Sequence, residues 1–119
     1  MFVIDGNRDV YHTRGDTGKI TLDITTNGSE NLAEYSATLS VKKKLTDSSY
    51  LLQKVAAKNS YGDYFFEFEH EDTQSLKAGS YYYDIQITAK AYDESGNLKT
   101  YVRTLGPFHY NLLNDVTTD

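Results

Sequence analysis

The sequence predicts an all-β fold, an antiparallel sandwich or barrel of short strands. Apolar and polar residues alternate with a period of two along most of the chain. Residues typical of turns separate these runs at intervals of about ten residues, a spacing typical of sandwiches and barrels. Because successive side chains of a strand point to opposite faces of a sheet, each alternating run is predicted to be a half-buried strand.

The alternation is clearest in three runs and weaker in five others. The clear runs are KITLDIT at 19–25, YSATLSVK at 35–42 and YYYDIQITAKA at 81–91. In the last, Tyr81, Tyr83 and Ile85 share one face, and Tyr82 lies on the other. The weaker runs are VYHT at 10–13, YLLQKVA at 50–56, DYFFEFEH at 63–70, LKTYVRTL at 98–105 and FHYNLLNDV at 108–116. We therefore expect about eight strands.

Turn chemistry lies between these runs. Asn27-Gly28 supplies the positive φ of a tight hairpin, and residues 59–62 (NSYG) are also typical of a turn. The sequence DESGN at 93–97 separates two long strands, so residues 80–106 are predicted to form a hairpin.

One segment has helical character and leads into a pattern that sharpens the fold class. We expect Asp72 to cap a single turn, Leu76 to point inward and Gly79 to end it. The run LKAGSY at 76–81 resembles the corner of immunoglobulin-like sandwiches, where a tyrosine hydroxyl bonds to backbone upstream. Tyr81 is the candidate corner tyrosine, although Tyr83 stands where a cysteine would follow. The prediction is an antiparallel immunoglobulin-like β-sandwich of about seven to nine strands, in one domain over residues 1–119.

Composition excludes several classes of protein. The net charge of −5 disfavours nucleic-acid binding, and the absence of cysteine excludes disulfides and thiolate metal sites. No apolar run approaches the length of a membrane helix, roughly 20 residues. The first ten residues lack the basic and apolar regions of a signal peptide, so we expect none.

The titratable residues do not predict an enzyme, a cofactor or a metal site. His12, His70 and His109 lie far apart on different predicted strands, and we expect them at the surface. Glu67 and Glu69 are neighbours on one face of a single strand, whereas a glycosidase needs two carboxyl groups facing each other across a cleft. We therefore expect no catalytic residues.

Two familiar motifs overlap at residues 14–21. Arg14-Gly15-Asp16 spells the integrin-binding tripeptide, but nothing else in the chain indicates contact with animal cells. The run GDTGKIT resembles a phosphate loop with too few residues between its glycines, and Ile20 stands where serine or threonine is required. We expect both motifs to form one turn before the strand that begins at Lys19.

Tyrosine is the outlier in composition, with 11 copies and no tryptophan. Tyrosine is enriched in protein interfaces because it combines a large rigid surface with a polar tip. More tyrosines are present than the core requires, namely Tyr11, Tyr50, Tyr61, Tyr82, Tyr92, Tyr101 and Tyr110. We expect Tyr82, Tyr92 and Tyr101 to contact a partner protein; ordinary cross-strand pairing of aromatic residues is the alternative.

The order of motifs resembles a bacteriophage pattern. An RGD-like turn precedes a long strand, and LSVK at 39–42 and an aromatic-rich strand follow. Next come DTQSLKAGSYYYDI at 72–85, a hairpin and a final run from Phe108 to Thr117. Over roughly residues 8–117 the chain resembles the N-terminal domain of phage baseplate upper proteins and related immunoglobulin-like virion proteins.

This resemblance implies a non-enzymatic virion structural protein that assembles in the host cytoplasm. Baseplate upper proteins carry further domains after this one, whereas the sequence ends at Asp119, which favours a capsid-decoration, head-fibre or tail-accessory subunit. The implied partners are other virion proteins of capsid, neck, tail or baseplate, in a homo-oligomer or symmetric array. Neither nucleic acid nor membrane is expected as a partner.

A second hypothesis is a carbohydrate-binding or host-cell adhesion module. Its tyrosine faces would contact sugar rings, and calcium would bind at Glu67, Glu69, Glu71 and Asp72. A small hydrolase is a third hypothesis, which the scattered titratable groups disfavour.

Overall fold

The computed structural model describes residues 1–22, 32–61 and 63–115, with side chains of the second range described from Tyr35 onward. They form nine strands and one short helix. The strands are β1 (Phe2–Ile4), β2 (Val10–Thr13), β3 (Gly18–Leu22), β4 (Leu32–Lys42), β5 (Leu52–Val55), β6 (Ala57–Lys58), β7 (Tyr64–Phe68), β8 (Gly79–Tyr92) and β9 (Leu98–Leu113). The helix α1 spans His70–Gln74. The predicted all-β fold is confirmed.

The strands form two sheets of unequal size. The larger has six strands in the order β1-β2-β9-β8-β4-β5, and the smaller has three in the order β3-β7-β6. Buried side chains of both sheets meet in one core, to which β3 and β7 contribute Ile20, Leu22, Phe66 and Phe68. The alternation predicted for β7 is confirmed, because Phe66 and Phe68 are fully buried and Glu67 between them is exposed.

The expectation of a wholly antiparallel fold is wrong at one pair of strands. β2 runs parallel to β9, with Val10 opposite Tyr110 and Thr13 opposite Leu113. Alternation of side chains records which face is buried but not the direction of the neighbouring strand, so the sequence pattern does not reveal this pairing. The remaining pairs in the described part of the chain are antiparallel.

The predicted hairpin of β8 and β9 is confirmed. In its turn, the Asp93 carboxylate accepts backbone N–H bonds from Ser95 and Asn97, each at 2.9 Å, and Gly96 adopts a φ of +82°. The two runs predicted as separate last strands are one strand, β9. Pairing shifts between Tyr83 and Ile85, so that Gly106-Pro107 forms an irregularity within the ladder rather than its end.

The segment between β7 and β8 differs in detail from its prediction. Asp72 is the third residue of α1 rather than its cap, and its carboxylate accepts the Glu69 N–H at 2.7 Å. Leu76 packs against the core as expected, whereas Gly79 begins β8. The Tyr81 hydroxyl donates to the backbone carbonyl of Lys77, which is the contact predicted for a corner tyrosine.

Some predicted features lie outside the described residues. They are the Asn27-Gly28 turn, the end of the run at 19–25, Gly62 in the NSYG turn and the end of the last run beyond Asp115. Within the described part of the chain, no helix has the length and apolar character needed to cross a membrane.

Candidate interaction surface

The far ends of β8 and β9 form an arm, defined here as residues 86–92 of β8 and 98–104 of β9. Its register runs from Gln86 opposite Thr104 to Tyr92 opposite Leu98. Four large apolar side chains on the arm are about half exposed or more, namely Tyr92 at 51%, Leu98 at 51%, Tyr101 at 49% and Val102 at 58%. Because water covers these apolar groups, the arm offers surface suited to a protein contact.

Each face of the arm carries part of this apolar surface. Residues paired across the ladder share a face, so Val102 lies beside Thr88, and Leu98 beside Tyr92, on the outer face. Tyr101 lies opposite Ala89 on the inner face, which continues the face that carries the core residues Tyr83 and Ile85.

The three tyrosines predicted to contact a partner do not form one patch. Tyr82 and Tyr92 share the outer face, but Tyr92 lies ten positions further along β8, which corresponds to about 33 Å. Tyr82 is half-buried and its ring packs at a tilt of 41° against that of His109, with 5.3 Å between ring centroids. Tyr101 lies on the opposite face. Their role in binding remains a prediction, and Tyr110, counted with the surplus tyrosines, is instead a buried core residue.

One long strand edge adjoins the arm. β2 pairs with β9 only along Tyr110–Leu113, and no strand in the described part of the chain pairs with residues 98–107 on the side away from β8. Alternate backbone N–H and C=O groups along such an edge have no partner strand. The arm therefore offers backbone as well as side chains for contact.

A groove opens between the two sheets next to the arm. It has a volume of about 420 Å³, and Ile20 and Leu22 of the small sheet face Ile85, Ile87 and Leu105 of the large one across it. Arg8 and Arg103 also line it, and neither guanidinium forms an ion pair with another described residue. The groove is thus lined by apolar side chains together with two arginines.

A buried tyrosine fixes the backbone that carries Arg8. The Tyr83 hydroxyl donates to the Arg8 carbonyl at 2.5 Å, and burial raises the pKa of Tyr83 to about 12. Arg8 has a φ of +65°, and the Asp5 carboxylate accepts the N–H groups of Asn7 and Asp9 around it. This hydrogen bonding holds Arg8 in a backbone conformation that non-glycine residues rarely adopt.

The turn at residues 14–18 is bonded to the rest of the molecule. Arg14 pairs with Asp115 at 2.9 Å, and the Gly15 N–H donates to the buried hydroxyl oxygen of Thr73 at 2.8 Å. No helix follows, since β3 begins at Gly18, where an added Cβ would lie 2.3 Å from the Phe2 ring. The prediction of a turn before a strand is confirmed, and Gly18 is required by close packing rather than by phosphate binding.

The expectation that His12 lies at the surface is wrong. His12 is fully buried, and its Nδ1 lies 2.5 Å from the Tyr110 hydroxyl oxygen and its Nε2 lies 2.6 Å from the Asp16 carbonyl oxygen. Since the Asp16 carbonyl can only accept, Nε2 carries a proton; with a pKa of about 4 the ring is neutral near pH 7, so Nδ1 accepts from the Tyr110 hydroxyl. Burial lowers the pKa of His12 to about 4 and raises that of Tyr110 above its usual range. This network joins the turn to the core.

Among the acidic residues considered for calcium, Asp72 is bonded to other protein groups. Asp72 accepts from Lys54 at 2.8 Å as well as from its own helix, which fastens α1 to β5. Among the residues that the structure describes, no three histidine or acidic side chains stand close enough together to hold a metal ion.

Sequence reasoning did not identify Val102 and Arg103 as surface residues of interest. Both residues lie in the run at 98–105, which is predicted to be a strand. The alternation of residues in this run does not show that one edge of the strand is unpaired. A signal was present in KTYVRTL itself, which has residues of high β propensity and two charged positions on one face.

Comparison of the chain with family models and with curated proteins gave no match. The case for a function therefore depends on the geometry of the chain and on the motif pattern of its sequence.

Proposed function

We propose that the chain is a non-enzymatic structural protein of a bacteriophage particle that acts through protein–protein contacts. The observation that carries this proposal is the arm, which presents four large apolar side chains together with a strand edge that no described strand covers. We propose a phage particle because the order of motifs in the sequence, above all residues 72–85, resembles that of phage virion proteins. Capsid decoration, head fibre and tail or baseplate accessory subunit are the roles that suit such a contact domain.

An immunoglobulin-like topology is part of the same proposal. In that fold the third, sixth and seventh strands pair in one sheet, and the second, fifth and fourth pair in the other. Counting from β2 and leaving out β5 as an added strand, the third, sixth and seventh strands are β4, β8 and β9, which pair in one sheet. The second, fifth and fourth are β3, β7 and β6, which pair in the other. The Tyr81 bond to Lys77 adds support. The departure is that β2 lies beside β9 rather than beside β3.

The proposed setting is a virion, with other virion proteins or further copies of the chain as partners. Tyr92 is the predicted contact residue best placed for this role, because it is half exposed at the end of the arm. Large rigid aromatic side chains of this kind contribute most to affinity when an interface covers them. No glycan or calcium contact is proposed.

Re-addition of the purified chain to particles made without its gene tests this proposal. We expect labelled chain to sediment with the particles and to saturate at a fixed number of copies per particle. Replacing Tyr92 by serine is expected to weaken binding roughly tenfold, since loss of an interface aromatic costs about 1.4 kcal/mol or more.

Tyr61→Ser is the matched control, because Tyr61 is 90% exposed but lies in the turn between β6 and β7, away from the arm. Its affinity for particles is expected to equal that of the unmodified chain. Binding that never saturates, or that fails altogether at high concentration of the chain, would contradict the proposal.

A further inference from the structure

The free edge of β9 differs from the other strand edges in length. Among the described residues, the outermost strands β1, β5, β3 and β6 have between two and five residues, and β5 pairs with β4 only along Thr38–Val41. By contrast, residues 98–107 of β9 have no neighbour on one side among the described strands. Long exposed edges pair readily with a strand of another chain.

We infer that this edge pairs with the same edge of a second copy of the chain, antiparallel, with the two Val102 residues facing each other. The two large sheets then become one continuous sheet across a twofold axis. This inference rests on the proposed function in one respect: it identifies a second copy of the chain as a partner in the proposed protein–protein contact. The contact itself is a property of the isolated chain.

The alternation of faces restricts the possible registers. A twofold axis perpendicular to the sheet keeps inner-face residues with inner-face residues, so one residue must face its own copy. Centring on Tyr101 would place Lys99 directly opposite Arg103, and like charges in that position are destabilising. Centring on Arg103 would place Pro107, which has no N–H to donate, opposite Lys99.

Centring on Val102 gives favourable pairs over the middle five residues of the edge. Val102 meets Val102, Thr100 meets Thr104, and Tyr101 meets Arg103, where a guanidinium can lie over an aromatic face. A centre at Thr100 uses less of the strand, because Arg103 would then face Asn97 in the turn. The sequence of the edge is thus most self-complementary about Val102.

The charges on the edge also restrict which strands can pair with it. Lys99 and Arg103 lie on the inner face, where they oppose pairing with a strand that presents basic residues at the same positions. In the Val102 register these side chains face Leu105 and Tyr101 instead. The second copy therefore fits this edge, and a one-pair slip to Tyr101 does not.

Single cysteine variants test the register sharply, because the natural chain has no cysteine. In Val102→Cys the two thiols lie opposite each other, and we expect oxidation to give a disulfide-linked dimer of twice 13.5 kDa. Thr100→Cys alone is expected not to cross-link, since its copy lies about 13 Å away along the ladder. The double variant Thr100→Cys with Thr104→Cys is expected to cross-link.

Sedimentation velocity of the uncrosslinked full chain tests the pairing without an added thiol. We expect a dimer whose dissociation constant rises roughly tenfold or more in Val102→Lys, where two like charges would face each other. The matched control is Val55→Lys, because Val55 is an exposed valine at 69% on the edge strand β5. Val55→Lys is expected to leave the dimer unchanged, and circular dichroism checks that both variants fold.

A chain that stays monomeric at high concentration and does not cross-link through Val102→Cys would overturn the inference. A dimer that survives Val102→Lys, or that cross-links through Thr100→Cys alone, would also overturn it by showing another interface or register. Failure here leaves the proposed function standing if the chain still saturates sites on particles. A Val102 dimer that never binds particles would contradict the proposed function and leave this inference intact.

Discussion

Phe68→Ala is expected to lower the free energy of unfolding by about 3–5 kcal/mol, the usual cost of truncating a fully buried phenylalanine. Phe68 is 0% exposed and lies between the two sheets. Its ring centroid is 5.4 Å from that of Phe2, 5.6 Å from that of His12 and 6.1 Å from that of Tyr110. Loss of the ring would leave a cavity that borders a buried polar network, where surrounding groups have little freedom to collapse.

Urea unfolding followed by circular dichroism measures this change. Phe65→Ala is the matched control, because Phe65 belongs to the same strand but points to the opposite face and is only half-buried. Its ring lies beneath Lys19, 4.2 Å from Nζ, rather than in the core. We expect a loss for Phe65→Ala well below that for Phe68→Ala. Equal losses would show that the two sheets do not pack as described.

Acidification from pH 6.5 toward pH 4 is expected to destabilise the protein through His12. The folded protein buries His12 as a neutral ring, with its pKa lowered to about 4 chiefly by burial. The unfolded chain binds a proton at the ordinary pKa of about 6.5. Between these two values the unfolded state holds more protons, so stability falls as pH falls.

The size of this effect follows from the difference between the two pKa values. A change of about 2.5 pH units at about 1.4 kcal/mol for each unit gives roughly 3.5 kcal/mol in full, most of which is lost by pH 4. The contribution of His12 is fully present above about pH 6.5 and is lost as pH falls through about 4. The hydrogen bond from Arg14 lowers the pKa of Asp115. Measurements between pH 5 and 6.5 therefore separate the effect of His12 from that of Asp115.

His12→Gln isolates this dependence because glutamine has a donor and an acceptor but does not titrate in this range. Its free energy of unfolding is expected to be lower overall but nearly constant between pH 5 and 6.5. His70 and His109 are present in both proteins and provide the internal control. An unchanged slope in His12→Gln would show that His12 is not buried as a neutral ring.

The strands of the large sheet could be predicted because their burial repeats every second residue. Tyr81, Tyr83 and Ile85 are buried, as their alternation with polar residues indicates. The parallel neighbour of β9 could not be predicted, since β2 and β9 lie at opposite ends of the chain and neither pattern encodes direction. The continuity of β9 was missed for a related reason, because Gly106-Pro107 is typical of a strand end and here forms an irregularity within the ladder.

The candidate surface was predictable only in its composition. The excess of tyrosine indicates an interface, but composition does not show that Tyr92 and Tyr101 lie half exposed on opposite faces of the arm. The sequence predicts a surface position for His12, because histidine on a strand is usually exposed. Its burial depends on Tyr110 and on the Asp16 carbonyl, which only the folded chain brings to it.

Quantitative mass spectrometry of gradient-purified particles is the most direct test of whether this chain is a virion structural protein. Particles come from a culture that expresses the gene, and the abundance of the chain is measured against that of the major shell protein. The expected result is a fixed number of copies per particle that persists through repeated gradients. Absence of the chain from intact particles, while it is abundant in the lysate from which they were purified, would contradict the proposal.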